Sequence, residues 1–343
     1  MACFHPLLAK VVGLNPLTGK DKLQIMSYDQ SLVDRWRASG TEYKEIPCGK
    51  CIGCRIEYSR QWANRMMLEL QYHDSAYFVT LTYSDDFLPR NPVSDQETGE
   101  YKYDSFTLRK EHLSKFIKHV RKHFACQNIR FYGAGEYGST TVRPHYHVII
   151  FGLRLDDLVV YKRTPQGDIL YTSCSLNECW SNFIGYDSHG VPRYDQIGWC
   201  VVSPVTWETC AYVARYVTKK MSGPLGEWFV SNNMELPFSL MSRRPGIGKK
   251  WYDDHPYFWQ ESDFINVKSG VTARKFRPPR YFEKLLEDDC PEVYQSRKEE
   301  KSEFFRKTRE LLEQSLDKPY LEYLADKEYL LKNRLKVLDR SEV

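Results

Sequence analysis

The sequence predicts an α+β fold, with an antiparallel or mixed central sheet and helices packed on it. Short runs rich in β-branched and aromatic residues alternate with amphipathic helical stretches. Two of the strand runs, 128–132 and 145–151, succeed each other with no helical pattern between them. Strands in direct succession argue against a doubly wound parallel sheet, where helices would separate them.

Taken in order, residues 1–47 hold Pro6, Pro16 and Pro47 and read as an irregular arm. A helix is expected over about 56–72, with Trp62, Met66 and Leu70 on one face. Tyr77-Phe-Val-Thr-Leu-Thr-Tyr83 reads as the first strand. A polar loop with Pro89, Pro92 and Gly99 follows, and Thr107 reads as an N-cap. Leu113, Phe116, Ile117, Val120 and Phe124 then form a helical apolar stripe. The strand at 128–132 runs into the Gly-rich stretch 133–138, and the strand at 145–151 is closed by Gly152. A short helix at 176–184, a strand at 198–202 and a helix at 207–221 complete the order β-α-β-β-α-β-α. Gly223-Pro224 stops the last helix. Residues 225–280 show little periodicity. From about 295 the chain is charged and helical, with a thin stripe of Leu324, Leu331, Leu335 and Leu338, expected to form a peripheral helical pair. The expected domains are 1–76, an N-terminal Cys-cluster extension with a helix; 77–224, the central domain; and 225–343, a basic, aromatic segment followed by a C-terminal helical region.

The 343 residues are 42% hydrophobic and 14% aromatic, enough to bury a core. No apolar run approaches the roughly 20 residues that span a bilayer, and the first twenty residues lack the pattern of a signal peptide. Secreted, membrane-spanning and fibrous classes are poor readings, and no membrane partner is expected. The net charge of +4 hides a polarity. Residues 281–343 carry 13 basic and 16 acidic side chains, which leaves the first 280 residues at +7. An anionic partner belongs on that earlier part. Residues 107–130 carry seven Lys and Arg against one Glu, a candidate surface for phosphates. Residues 239–280 carry nine against four acids, interleaved with Trp251, Tyr252, Tyr257, Phe258 and Trp259. That mixture suits single-stranded DNA and equally suits a solvated basic face over a small core.

His145 and His147 alternate on one strand and so share a face, about 6–7 Å apart. Glu136 ends the preceding strand and reaches the same side if the two strands pair through the 137–143 loop. Two imidazoles and one carboxylate leave open positions on a divalent ion, as catalysis requires. Tyr212 and Tyr216 are four residues apart on the last helix of this domain and share a face, with Lys219 and Lys220 close by. A tyrosine hydroxyl is a poor nucleophile unless assisted, and cations or a metal on the phosphate supply that help. Tyrosines at this spacing also serve as half-buried core.

Cys48, Cys51 and Cys54 make two overlapping Cys-x-x-Cys steps, a pattern that binds zinc or an iron–sulfur cluster. A ferredoxin-type run would place a cysteine at Tyr58, so structural zinc is favoured over iron–sulfur. Cys3 is the first choice of fourth ligand and His5 the second. The remaining cysteines are expected to be reduced and mostly buried.

The sequence resembles the rolling-circle replication initiators of the His-hydrophobic-His (HUH) endonuclease fold. More narrowly, it is similar to those of gokushovirus-type microviruses, which are small single-stranded DNA phages. Phe78-Val-Thr-Leu-Thr-Tyr83, Arg143-Pro-His-Tyr-His-Val148 and Tyr212-x-x-x-Tyr216-x-x-Lys219 carry the match over about residues 77–221. The narrower match also rests on the cysteine run and on Ser242-Arg-Arg-Pro-Gly-Ile-Gly248. One departure is Tyr146, amphipathic where an aliphatic residue is usual. The resemblance implies Mg²⁺ or Mn²⁺ on His145, His147 and Glu136. It implies attack by one tyrosine on a phosphate, a 5′-phosphotyrosyl intermediate, and a second attack by the other tyrosine after one round. The implied partners are single-stranded phage DNA and the replicative-form origin, in the cytoplasm of the bacterial host. The chain shows no Gly-x-x-x-x-Gly-Lys-Ser/Thr phosphate loop, so helicase and polymerase are expected from the host.

Three other readings share parts of this pattern. A zinc-containing, non-catalytic nucleic-acid-binding module would use the tyrosines as core. An HUH transposase or relaxase would share the chemistry but not the role. An Fe(II) oxygenase would explain the two histidines and the carboxylate, but not the tyrosine pair.

Overall fold

Seven strands form one sheet, in the order Phe238–Met241, Arg130–Tyr137, Pro144–Phe151, Ala76–Tyr83, Gly198–Pro204, Ile169–Ser173 and Leu158–Arg163. Every neighbouring pair is antiparallel, as the α+β reading expects. The computed structural model describes residues 3–339 apart from 18, 20, 96, 126, 139, 166, 220–223 and 270–271. At 216–219, 224–225, 260–261, 269, 272 and 336–339 it describes the backbone alone. Among the described residues no helix is long and apolar enough to cross a membrane. Contacts divide the chain into two units, residues 59–289 and residues 1–58 with 290–343.

In the larger unit, helix Lys110–His123 packs Leu113, Phe116, Ile117 and Val120 on one face of the sheet. Val79, Leu81, Tyr146, Val148, Ile150 and Cys200 meet it there. The strand expected at 128–132 continues to Tyr137, through the glycines. Their missing side chains make this possible. A Cβ on Gly133 would stand 3.2 Å from Leu113, and one on Gly135 would stand 2.9 Å from the Phe238 ring. Thr107 is not the N-cap. The helix begins at Lys110 behind Arg109, and the Thr107 hydroxyl accepts from the Glu235 amide instead. The short helix covers only Cys174–Cys179, and Ser181–Tyr186 then pairs with Pro192–Gln196 as an exposed hairpin. The expected polar loop holds a second hairpin, Arg90–Ser94 with Tyr101–Phe106. Trp251 and Trp259, which read equally as stacking platforms or as core, are buried.

Helix Ile52–Leu70 begins in the smaller unit and ends in the larger. In the larger unit its Glu69 is buried, bonded to His73, to the Gly248 amide and to the Arg130 guanidinium. Burial pushes this carboxyl up, but the His73 bond, the Gly248 amide and Arg130 outweigh it and hold it below the usual carboxylate range. A depressed native pKa stabilises the fold above the unfolded value of about 4.3, and that contribution is lost as pH falls through the native value. Glu69→Gln leaves Arg130 without its counter-ion. It is expected to cost about 3 kcal/mol at neutral pH and to flatten the stability-against-pH curve below about pH 4. Denaturant unfolding at pH 7 and pH 3 checks both.

The smaller unit corrects the expected irregular arm. Asp21–Ser27, Leu7–Leu14 and Tyr43–Ile46 form a three-stranded antiparallel sheet in that order. Helix Gln30–Ala38, capped by Asp29, buries Val33 and Trp36 against Leu8. The arm escapes a pattern search because Asp21–Ser27 is almost wholly exposed and shows no apolar alternation. Helices Pro291–Ser315 and Tyr320–Asp339 belong to this unit. Leu324 is buried and Leu331 and Leu335 are half-buried, while the Leu338 side chain lies outside the described residues.

Candidate metal centre and tyrosine helix

Strand register builds the centre. Glu136 lies directly opposite His145, and His147 lies opposite Ala134 on one side and Thr80 on the other. Residues opposite each other point to one face, so the carboxylate and both imidazoles converge on the face away from helix Lys110–His123. Both Nε2 atoms stand 2.8 Å from Glu136 Oε1. The three donor atoms lie within 4.8 Å of one another, and Glu136 is only 3% exposed.

The outer nitrogens are also held. His145 Nδ1 donates to the Arg143 carbonyl at 3.2 Å, and His147 Nδ1 bonds the Thr80 hydroxyl at 3.0 Å. A carbonyl only accepts, so His145 carries its proton on Nδ1 and turns an Nε2 lone pair inward. Burial lowers the His147 pKa against the pull of Glu136 and keeps that ring neutral. Burial raises Glu136, but hydrogen bonds from His145 and His147 outweigh it and hold the carboxyl below its ordinary value. Two neutral nitrogens and one ionised oxygen, buried and convergent, are a donor set that fits a divalent cation.

Helix Trp207–Lys219 covers this face. Ser59 bonds the Ala211 carbonyl and Trp207 bonds Asn64, which ties it to helix Ile52–Leu70. Trp62 of the latter lies on Tyr132, 4.8 Å between ring centroids. The Tyr212 ring stands edge-on to His147 at 5.2 Å and to Phe78 at 6.2 Å. Phe78 stacks on His147 from another side, at 5.3 Å. Tyr216 and Lys219 follow on the same helix, with their side chains outside the described residues, and Lys220 is outside them altogether. Thr80 and Phe78 were not singled out from the sequence as partners of His147. Their signal was present, since Phe78, Thr80 and Thr82 alternate on one face of a strand.

The basic helix lies on the opposite face. Lys115, Lys118 and Lys122 are exposed there, with the sheet between them and the centre. Tyr146 also points that way, which explains why it can be a tyrosine. Its hydroxyl meets Tyr83 at 2.8 Å, accepts from the Arg109 amide and donates to the Arg109 carbonyl. An aliphatic residue would leave that helix entrance without this partner.

A second cluster lies in the smaller unit. The sulfurs of Cys3, Cys48, Cys51 and Cys54 gather within 4.8 Å, while His5 turns to Glu328. Backbone amides of Phe4, Cys48, Lys50 and Cys51 point at sulfurs of the cluster at 3.3–3.4 Å. Burial raises Cys51, but the amides of Phe4 and Cys54 reverse this and bring it to about 7. Burial and the neighbouring thiols push Cys54 well up. The cluster thus supports one thiolate readily and resists four without a cation among them. The four-sulfur set fits a tetrahedral zinc ion. Elsewhere Cys179, Cys200 and Cys210 are buried free thiols, Cys174 and Cys290 are exposed, and Cys126 is outside the described residues.

The larger unit is therefore an α+β domain whose antiparallel sheet carries a buried two-histidine, one-carboxylate centre under a tyrosine-bearing helix. Residues 76–222 match the family of ORF2-type replication-associated proteins. Replication-associated protein ORF2 of Spiroplasma virus 4 is 29% identical over 99% of this chain and 98% of its own length. Replication-associated protein VP4 of Bdellovibrio phage phiMH2K is 28% identical over 82% and 79%. Replication-associated protein ORF4 of Chlamydia phage 1 is 26% identical over 70% and 53%. No solved structure gives a significant match. These likenesses bear out the resemblance drawn from the motifs, to the replication initiators of small DNA phages.

Proposed function

We propose that the chain nicks one strand at an origin and rejoins the ends, in rolling-circle replication of a circular single-stranded DNA phage genome, on an HUH-type domain. The observation that carries this is the Tyr212 ring set against His147 of the Glu136–His145–His147 centre. A tyrosine oxygen forms a bond to phosphorus as the bond to the 3′ oxygen breaks. The tyrosine gives up its proton and the departing 3′ oxygen gains one, which leaves a 5′-phosphotyrosine and a free 3′-OH. No bond energy is lost, so the 3′-OH of a finished strand can reverse the step and close a circle. Tyr216, one turn along, serves the second attack, and Lys219 and Lys220 add positive charge near the phosphate. Mg²⁺ or Mn²⁺ on Glu136, His145 and His147 would neutralise charge on the scissile phosphate. Zn²⁺ on Cys3, Cys48, Cys51 and Cys54 would be structural.

The partners on this reading are single-stranded phage DNA and the replicative-form origin, with a host helicase and polymerase, in the bacterial cytoplasm. The names of the relatives favour replication over a transposase or relaxase role.

The test is a trapping assay with origin-strand DNA, in Mn²⁺ or EDTA, resolved on a denaturing gel. A metal-dependent covalent adduct is expected for the unaltered protein and for at least one of Tyr212→Phe and Tyr216→Phe, and none for the double variant. DNA binding with no adduct would instead support the binding-module reading.

A further inference from the structure

Glu136, His145, Thr82 and Trp199 occupy one rung of the sheet. Glu136 is opposite His145, His145 is opposite Thr82, and Thr82 is opposite Trp199. Residues so opposed share a face, so Trp199 stands on the face that carries the metal-type centre. At about 4.8 Å per strand, its backbone lies roughly 10 Å from that of His145.

The indole at this place is unlike the others. Trp180 and Trp207 donate hydrogen bonds through their ring nitrogens. Trp36, Trp62, Trp228, Trp251 and Trp259 pack on other aromatic rings. Among the described residues the Trp199 ring has no hydrogen-bond or ring partner, and at 55% it is the most exposed tryptophan. Its backbone is nonetheless fixed. The strand pairs with Ala76–Tyr83 through seven consecutive residues, and a Cβ at Gly198 would fall 1.7 Å from the Thr82 carbonyl oxygen. A large flat apolar ring is thus held rigidly in solvent, level with the centre.

We propose that Trp199 is the stacking platform for one base of the single strand, within about two nucleotides of the phosphate held at Glu136, His145 and His147. The proposal rests on the nicking reading for its substrate. It requires single-stranded DNA, because a base inside a duplex has no free face to offer. The platform positions the strand and takes no part in bond making.

The experiment measures binding of the full chain to a single-stranded oligonucleotide spanning the origin, in EDTA so that nothing is cut. A series of oligonucleotides carries one abasic site each. Trp199→Ala is expected to weaken binding of the intact strand by about 5- to 100-fold, with Trp199→Phe in between. For the unaltered protein, an abasic site at one or two positions should cost a similar factor. Trp199→Ala should be indifferent at those same positions. Equal binding of the intact strand by the unaltered protein and Trp199→Ala would overturn the proposal, as would an unchanged response to every abasic site. If Trp199 couples to one base while no adduct forms in Mn²⁺, the platform stands and the nicking reading falls.

Discussion

Glu136→Gln is expected to slow adduct formation by at least about 10²-fold and to weaken Mn²⁺ binding to a similar degree. The change keeps the volume of a side chain that is almost wholly buried and removes only its charge. Glu136 is the one anionic donor that the centre sets between two neutral imidazoles. Without it, the ion would face two nitrogens and a neutral amide. Adduct yield against Mn²⁺ concentration gives the first number and calorimetry on the isolated protein the second. A Gln variant that cuts as fast, at the same metal concentration, would remove the centre from the mechanism. Thr80→Val offers a gentler version. It frees His147 Nδ1 from its hydroxyl partner and is expected to cost about 10-fold in metal affinity.

Stripping metal from the cysteine cluster should unfold the smaller unit. Structural zinc contributes about 10–16 kcal/mol of apparent binding free energy in small domains. The rest of this unit has a buried apolar core built on Leu8, Val33 and Trp36. One zinc per chain is expected by elemental analysis, with Cys51→Ser lowering both that ratio and protease resistance of residues 1–58. A fully metal-free preparation that melts and resists protease like the untreated protein would refute the assignment.

Much of the centre was legible because it depends on local rules. A two-residue period puts His145 and His147 together, and a short connection between adjacent strands brings Glu136 opposite. The thiol cluster was equally open, since three of its cysteines lie within seven residues and only Cys3 had to be found elsewhere. What escaped depends on distant partners. The Asp21–Ser27 strand shows its nature only when paired with Leu7–Leu14. The strand Phe238–Met241 was hidden in a stretch without periodicity, and it joins the central sheet because Gly135 makes room for Phe238. The basic helix was visible as basic and amphipathic, but nothing in its sequence says which face of the sheet it covers.

The two ends of the chain meet in the smaller unit. Buried Arg309 bonds the Tyr28 hydroxyl, pairs with Glu45 and lies over the Tyr320 ring, so residues nearly 300 positions apart settle together. During synthesis, the first strands leave the ribosome long before Arg309 exists. The larger unit, residues 59–289, is complete by then and can fold as an independent body. The early strands must wait in the cell with their edges open, a period of exposure to proteases and to strand pairing with other chains. The thiols at 48, 51 and 54 are translated early, so an ion captured there would hold the waiting segment together until its last helices arrive.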